Sequence, residues 1–92
     1  MNSEKEEIID QINIVIELIK KRLSRGLEKP ILNTIYVRYL DAKQILIDDG
    51  DINKITIFGG CRAYLDAYND YMNPMLNEMY KAEKKLDKLR NK

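Results

Sequence analysis

The sequence has 92 residues, and its 16 basic and 15 acidic side chains leave a net charge of +1, which gives no overall field favouring nucleic acid or an anionic membrane. With 45% hydrophobic and 34% charged residues, the composition excludes a wholly disordered chain. Histidine is absent and cysteine occurs once, which removes the commonest general acid–base and metal ligand and excludes an internal disulfide. Because no histidine can activate the thiol of Cys61, we expect no catalytic residue, no cofactor and no metal site.

No targeting or membrane-spanning segment is visible in the sequence. Residues 1–7 are polar and acidic, whereas a signal peptide has a basic start followed by an apolar run. Uninterrupted apolar runs reach only three residues, as at 14–16, which is far short of a membrane span. A single free thiol suits a reducing compartment. These features predict a cytoplasmic protein without membrane association, folded as one helical domain over residues 1–92.

The first predicted helix begins near Ser3 and ends at Gly26, a residue type that commonly follows a helix C-terminus. Apolar residues recur along it with the helical period, as on a face buried in a core, at Ile8, Ile12, Val15, Ile19 and Leu23. Ile14 and Leu18 point to the far side at about 100° per residue, and their spacing of four would bring them into contact. Helix 1 is therefore predicted to have a second apolar face.

The second predicted helix begins at Pro30, a favourable residue for a first turn, and ends at Gly50. It carries two apolar stripes, one with Ile31, Ile35, Tyr39, Ala42 and Leu46 and the other with Tyr36, Leu40 and Ile47. Because apolar residues cover such a wide arc, we expect helix 2 to be the most buried. A turn is predicted at residues 48–51, with Asp51 as the N-cap of the next element.

The last segment, residues 52–92, contains a heptad seam. Apolar residues alternate three and four positions apart at Phe58, Cys61, Leu65, Tyr68, Met72, Met75, Met79, Ala82, Leu86 and Leu89. Pro74 lies within this seam, where it lacks an N–H and clashes with the preceding turn. Since the seam keeps its phase, we expect an all-α antiparallel bundle of three helices with a long third helix kinked at Pro74. The alternative is a four-helix bundle in which Asn73 caps a fourth helix starting at Pro74.

A continuous third helix would be about 58 Å long, compared with about 30–35 Å for each of the other two. Its C-terminal half, with Met75, Met79, Leu86 and Leu89 on the seam, would extend beyond the bundle and require a partner. The β-branched residues at 55–57 leave open a short strand in place of the helix start.

A groove of small residues is predicted on the third helix, on a face that points away from the heptad seam. Gly59 and Ala63 lie four residues apart, with Thr56 close to the same face, and Arg62 and Asp66 form the rim. Small residues allow close approach of a neighbouring helix or a ligand. The alternative is that another helix of the same chain crosses here.

These surfaces predict a small, non-enzymatic interaction or regulatory protein that forms a homo-oligomer, as a dimer, and binds a protein partner through a helical surface. The candidate partner-binding residues are Ile14, Leu18, Thr56, Gly59, Arg62, Ala63, Asp66, Met75, Met79, Leu86 and Leu89. A chain of this size buries only about 60–65% of its unfolded surface, which favours self-association. Frequent Ile, Lys, Asn and Tyr fit an AT-rich genome, and helical bundles of this size include bacterial immunity and regulatory proteins, so we expect a bacterial protein.

The alternative function is a nucleic-acid-binding regulator. Basic residues cluster at 20–29 and at 81–92, whereas residues 1–19 and 41–51 are acidic. Clusters of Lys and Arg bind phosphate backbones, although they also complement helix dipoles. No short recognition helix with polar base-reading residues is evident, so this function is not favoured.

Overall fold

The computed structural model describes residues 3–26, 30–68 and 73–91, and these ranges are entirely helical, turn or irregular, with no strand. The elements in chain order are α1 (Ser3–Leu23), α2 (Pro30–Ile47), a 3₁₀ helix (Ile52–Lys54), α3 (Gly60–Tyr68) and α4 (Pro74–Arg90). The all-α class is confirmed.

The structure has a separate helix that begins at Pro74, so the expected long, kinked third helix is wrong. Asn73 has an extended backbone, with φ −75° and ψ 127°, which interrupts any helix before Pro74. Its side-chain Oδ1 accepts a hydrogen bond from the backbone N–H of Met75 at 2.8 Å. An Asn cap followed by proline in the first turn is a strong signal for a helix start, and it overrides the continuity of the heptad seam.

The hydrophobic core is formed mainly by the three long helices, and α1 packs against both α2 and α4. Its buried members from these helices are Ile8, Ile12, Val15, Ile16, Ile19, Leu32, Ile35, Tyr39, Ala42, Leu46, Met75, Met79, Ala82 and Leu86. The face predicted for helix 1 is thus buried except at Leu23, which is partly exposed. Burial of this apolar surface supplies most of the stability of the helices.

A polar contact fixes the position of α4 along α1. Gln11 is almost fully buried, and its Nε2 donates to the backbone carbonyl of Glu78 and to the Glu78 carboxylate, both at 2.9 Å. Glu78 also forms an ion pair with Lys81 at 3.1 Å. These contacts hold the pKa of the Glu78 carboxyl below its ordinary value, with the hydrogen bond from Gln11 as the main cause.

The connection between α2 and α3 is neither a strand nor a helix start. Asp51 caps the 3₁₀ helix as expected, its side chain accepting from the N–H of Asn53 at 2.9 Å. Ile55 and Ile57 then insert into the core from an irregular backbone. Gly59, the last residue of the connection before α3, has φ +86°. Because this left-handed conformation costs a side-chain-bearing residue about 1–2 kcal/mol, the position favours glycine.

Candidate interaction surface

Apolar side chains are exposed along the outward face of α2. Among the described residues, five large hydrophobic side chains are exposed, and three of these lie on α2: Val37 at 46%, Leu40 at 39% and Ile47 at 52%. With Gln44, which is also exposed, they follow a spacing of 3-4-3 and form one line along the helix. We call Val37, Leu40, Gln44 and Ile47 the outer stripe.

The outer stripe corrects the expectation that α2 is the most buried helix. The first predicted stripe, which we call the inner stripe, is buried at Ile35, Tyr39, Ala42 and Leu46 and partly buried at Ile31. The second predicted stripe is not covered, because Tyr36 is only half-buried while Leu40 and Ile47 are exposed. Val37 belongs to neither predicted stripe, although its distance of three residues from Leu40 and seven from Gln44 places it on this line. Apolar side chains grouped in this way are typical of an interaction surface, whereas isolated exposed ones are ordinary.

Charged residues flank the outer stripe with opposite signs on its two edges. At about 100° per residue, Asp41 and Asp48 lie roughly 70° to one side, and Lys43 with Tyr36 lies roughly 70° to the other. Gln44 Nε2 donates to the Asp48 carboxylate at 2.8 Å, which connects the polar member of the stripe with its acidic edge. The outer stripe therefore combines three apolar side chains and one amide, with acidic residues along one edge and a lysine along the other.

The predicted second face of α1 is only half formed. Ile14 is 45% exposed, as expected for a residue on the outward side. Leu18 is partly buried against the core and lines a groove with Pro74 and Met75 of α4. Ile14 is therefore an isolated exposed side chain, and the α1 surface is less extensive than the outer stripe of α2.

The predicted small-residue groove is not present as a helix face. Gly59 lies in the turn before α3, where a Cβ would meet nothing within 4 Å, and Thr56 lies in the irregular connection. Ala63 is partly buried against the core, while Arg62 and Asp66 are exposed. Of the glycine pair at 59 and 60, Gly60 is the one in close contact: an added Cβ would lie 3.3 Å from Met79 Cε, so this close packing occurs within the chain.

The predicted overhang of the heptad seam is also absent. Met75, Met79 and Leu86 are at most 2% exposed because α4 lies on α1 and the core, and Leu89 is half-buried. The molecule is 40 Å long, shorter than the roughly 58 Å that an unbroken third helix would require. The seam residues Met75, Met79 and Leu86 are thus covered by their own chain and offer no free surface, whereas Leu89 keeps part of its surface exposed.

One basic cluster lies at the end of α1, beside the start of α4. The other lies at the end of α4, beside the start of α1. Lys21, Arg22 and Arg25 line a groove with the start of α4, whereas Lys85 and Lys88 near its end line a groove with Glu4 and Glu7 of α1. The end of α4 is thus placed beside the acidic start of α1, which offsets its charge. Lys29 and Lys92, which belong to the predicted clusters, lie outside the described residues.

Comparison with known proteins places the chain in a family. Residues 2–92 match the family described as “YeeD uncharacterised protein”. The chain belongs to this family. A bacterial member of the YeeD family, the “Uncharacterized protein YeeD” of Bacillus subtilis (strain 168), is 38% identical over 92 residues, which cover 89% of this chain and 88% of the relative. No solved structure matches the chain.

In this member of the YeeD family, polar contacts hold α3 in place. The Glu83 carboxylate on α4 accepts hydrogen bonds from the backbone N–H groups of Gly59 and Cys61, each at 3.1 Å. Tyr64 is the one large side chain of α3 that is fully buried, and its hydroxyl is hydrogen-bonded to Arg22 of α1 and to Asn73, the latter at 2.9 Å. An acceptor from α4 thus satisfies N–H groups that the start of α3 cannot pair internally.

The surroundings of Cys61 disfavour the thiolate form. Burial, a hydrogen bond with Glu83 and the charge of that carboxylate raise the pKa of the Cys61 thiol to about 12. The thiol also lies within hydrogen-bonding range of the backbone carbonyl of Leu76, with a sulfur–oxygen distance of 3.8 Å. The neutral thiol therefore contributes to the packing of α3 against α4.

An apolar groove of ≈ 620 Å³ lies between α3 and α4. It is lined by Cys61, Leu65, Asn73, Pro74, Leu76, Asn77 and Tyr80. Residues 69–72, which connect the two helices, include the predicted seam residue Met72 and lie outside the described residues. The described part of the chain contains no cluster of three or more His, Cys, Asp or Glu side chains that could hold a metal ion.

Within the described ranges, no helix combines the length and apolar character needed to cross a membrane.

Every buried side-chain nitrogen or oxygen in these ranges has a hydrogen-bond partner.

Proposed function

We propose that this protein is a non-enzymatic interaction module of the bacterial cytoplasm that binds a helical protein surface through the outer stripe of α2. The observation that carries the proposal is the alignment of Val37, Leu40 and Ile47, each 39–52% exposed, on one side of a helix whose opposite side buries Ile35, Tyr39, Ala42 and Leu46 in the core. A second helix laid along the outer stripe would remove this apolar surface from water.

The physical basis of the proposal is the combination of a rigid support with an exposed apolar line. The inner stripe fixes α2 in the core, so binding at the outer stripe would not have to order the helix first. Preorganisation of this kind lowers the entropic cost of association. Gln44 and the flanking charges supply polar contacts at the rim, where they remain accessible to water.

The arrangement of charge gives no comparable support to nucleic-acid binding. The two basic clusters are separated along the α1–α4 pair, and Lys85 and Lys88 lie beside Glu4 and Glu7. A nucleic-acid backbone is bound best by a continuous basic surface. We therefore propose a protein partner.

Site-specific photo-crosslinking in the producing bacterium tests the proposal. A photoreactive phenylalanine analogue at Leu40 is compared with the same analogue at Arg38, which is also exposed on α2 but lies roughly 140° from the outer stripe. We expect a discrete crosslinked protein from position 40 and none, or far less, from position 38. Mass spectrometry of the crosslinked band identifies the bound protein and the contacted peptide.

The matched position makes the result decisive. Crosslinking at Leu40 that exceeds crosslinking at Arg38 by about tenfold supports the outer stripe as an interface. Equal crosslinking at the two positions, or none at either, contradicts the proposal.

A further inference from the structure

We infer that the occupant of the outer stripe is a second copy of this chain, with the two α2 helices parallel. This inference rests on the proposed function and names the partner at the same surface. It is carried by the order of polar and charged residues along the stripe, which is complementary to itself in one orientation only.

The outer stripe has the spacing of a short coiled-coil seam. Val37 and Gln44 occupy equivalent positions seven residues apart, as do Leu40 and Ile47, so the four alternate as a and d positions of a heptad. Residues at a and d contact their counterparts when two such helices lie parallel. Val37, Leu40 and Ile47 would then each meet an apolar side chain of the second copy.

The polar residue of the stripe favours the parallel arrangement. In a parallel pair, Gln44 faces Gln44 of the second copy, and two amides can hydrogen-bond to each other. In an antiparallel pair centred on the stripe, Gln44 would face Leu40 and its amide would lack that partner. A polar residue at one a position is known to fix the register and orientation of paired helices.

The flanking charges favour the same orientation. In parallel helices a residue at the g position lies opposite the e position five residues further along the partner. Lys43 occupies g and Asp48 occupies e, so a parallel dimer contains the pair Lys43–Asp48 twice. In an antiparallel pair, e positions face e positions, which would bring Asp41 and Asp48 of one copy against the same acidic residues of the other.

The length of the stripe determines how the dimer must be detected. Residues 37–47 span about 15 Å, or one and a half heptads, so the association is expected to be weak. The net charge of +1 leaves little long-range repulsion between two copies. Disulfide crosslinking at the outer stripe, together with sedimentation at high concentration, can detect such a weak dimer.

Disulfide trapping tests both the partner and the orientation. Gln44→Cys is made in a Cys61→Ser background and equilibrated in a glutathione redox buffer, because equivalent a positions of parallel helices approach within the Cα–Cα range of about 4.4–6.8 Å that a disulfide requires. Arg38→Cys in the same background is the control. We expect at least a tenfold larger dimer fraction for Gln44→Cys than for Arg38→Cys, and adding Val37→Asp should abolish the difference.

Charge reversal provides a second, independent test. Lys43→Glu should lower the trapped fraction several-fold, and Lys43→Glu combined with Asp48→Lys should restore it. The unaltered chain should show a concentration-dependent increase in sedimentation coefficient up to about 1 mM that Leu40→Asp removes.

The outcomes separate this inference from the proposed function. Equal trapping at positions 44 and 38, or a monomer at every concentration, overturns the second copy as occupant. Preferential trapping between Leu40→Cys and Gln44→Cys chains overturns the parallel orientation. A crosslink in cells from Leu40 to a different protein, without self-association, overturns this inference while the proposed function stands.

Discussion

The helices α3 and α4 carry the two halves of one heptad pattern, yet they are held in different ways. On α4 the pattern residues Met75, Met79 and Leu86 are fully buried against the core. On α3 the pattern residues Cys61 and Leu65 are only half-buried. The fully buried positions of α3 are instead Gly60 and Tyr64, one residue out of phase with the pattern.

This difference shows that an unbroken apolar pattern does not guarantee a common environment. α4 packs lengthwise on α1 and is stabilised by apolar burial. The nine-residue α3 is held at its start by the Glu83 carboxylate and at Tyr64 by hydrogen bonds from Arg22 and Asn73. The guanidinium of Arg22 also lies over the Tyr68 ring, 4.7 Å from its centre. Two predictions test how far the two helices differ, and a third tests the polar contact that positions α4 on α1.

The largest expected effect compares leucines on the two helices. Leu86→Ala should lower the free energy of unfolding by about 2–5 kcal/mol, because it leaves a cavity in the core. Leu65→Ala, at a half-buried position, should cost about 1 kcal/mol or less. Denaturant unfolding followed by circular dichroism measures both. Equal losses would show that α3 is stabilised by the same apolar packing as α4.

A smaller effect is expected from the contact between Glu83 and the start of α3. Glu83→Ala removes the acceptor of two backbone N–H groups and should lower the free energy of unfolding by about 1–2 kcal/mol. Glu83→Gln keeps one side-chain carbonyl oxygen and should lose less. Hydrogen exchange should accelerate at the amides of Gly59 and Cys61. An equal acceleration throughout α1, α2 and α4 would contradict a local role.

The smallest expected effect concerns a polar contact between the two long helices α1 and α4. Because the pKa of Glu78 is lowered in the folded chain, its contribution to stability is present above the ordinary value near 4.5 and is lost as the pH falls through the folded value. Glu78→Gln should therefore reduce stability by less than about 1 kcal/mol at pH 7, and the difference should shrink as the pH falls below about 4.5. Thermal unfolding across this range measures the difference. A constant difference at all pH values would show that the charge is not the cause.

The helices themselves were predictable where one strong local signal determined each of them. The apolar period of residues 8–19 predicted the buried face of α1, and Asp51 was identified correctly as a cap. The fold of the last segment was predicted less well, because Asn73 and Pro74 gave a local stop signal that conflicted with the longer heptad pattern. The expected kinked helix followed the pattern, whereas the structure follows the local signal.

The sequence predicted that apolar side chains would be exposed on a helix, but it did not predict that they would lie on α2. The sequence shows two apolar stripes on α2, but it does not show which neighbours are available to cover them. In the structure the core covers the stripe containing Ile35 and Tyr39, whereas Leu40 and Ile47 stay exposed. The predicted groove at Gly59 failed for a related reason, since a glycine pair can mark a left-handed turn as well as a close helix contact.

The ion pair between Lys5 and Asp49 and the groove shared by Glu4 and Lys88 place the start of α1, the end of α2 and the end of α4 at one pole of the molecule. Any polypeptide attached before α1 or after α4 would leave from this pole, away from the exposed turn at Gly26. A circular permutant that joins these two ends through a short glycine–serine linker and opens at Gly26 would keep every helix beside its present neighbours.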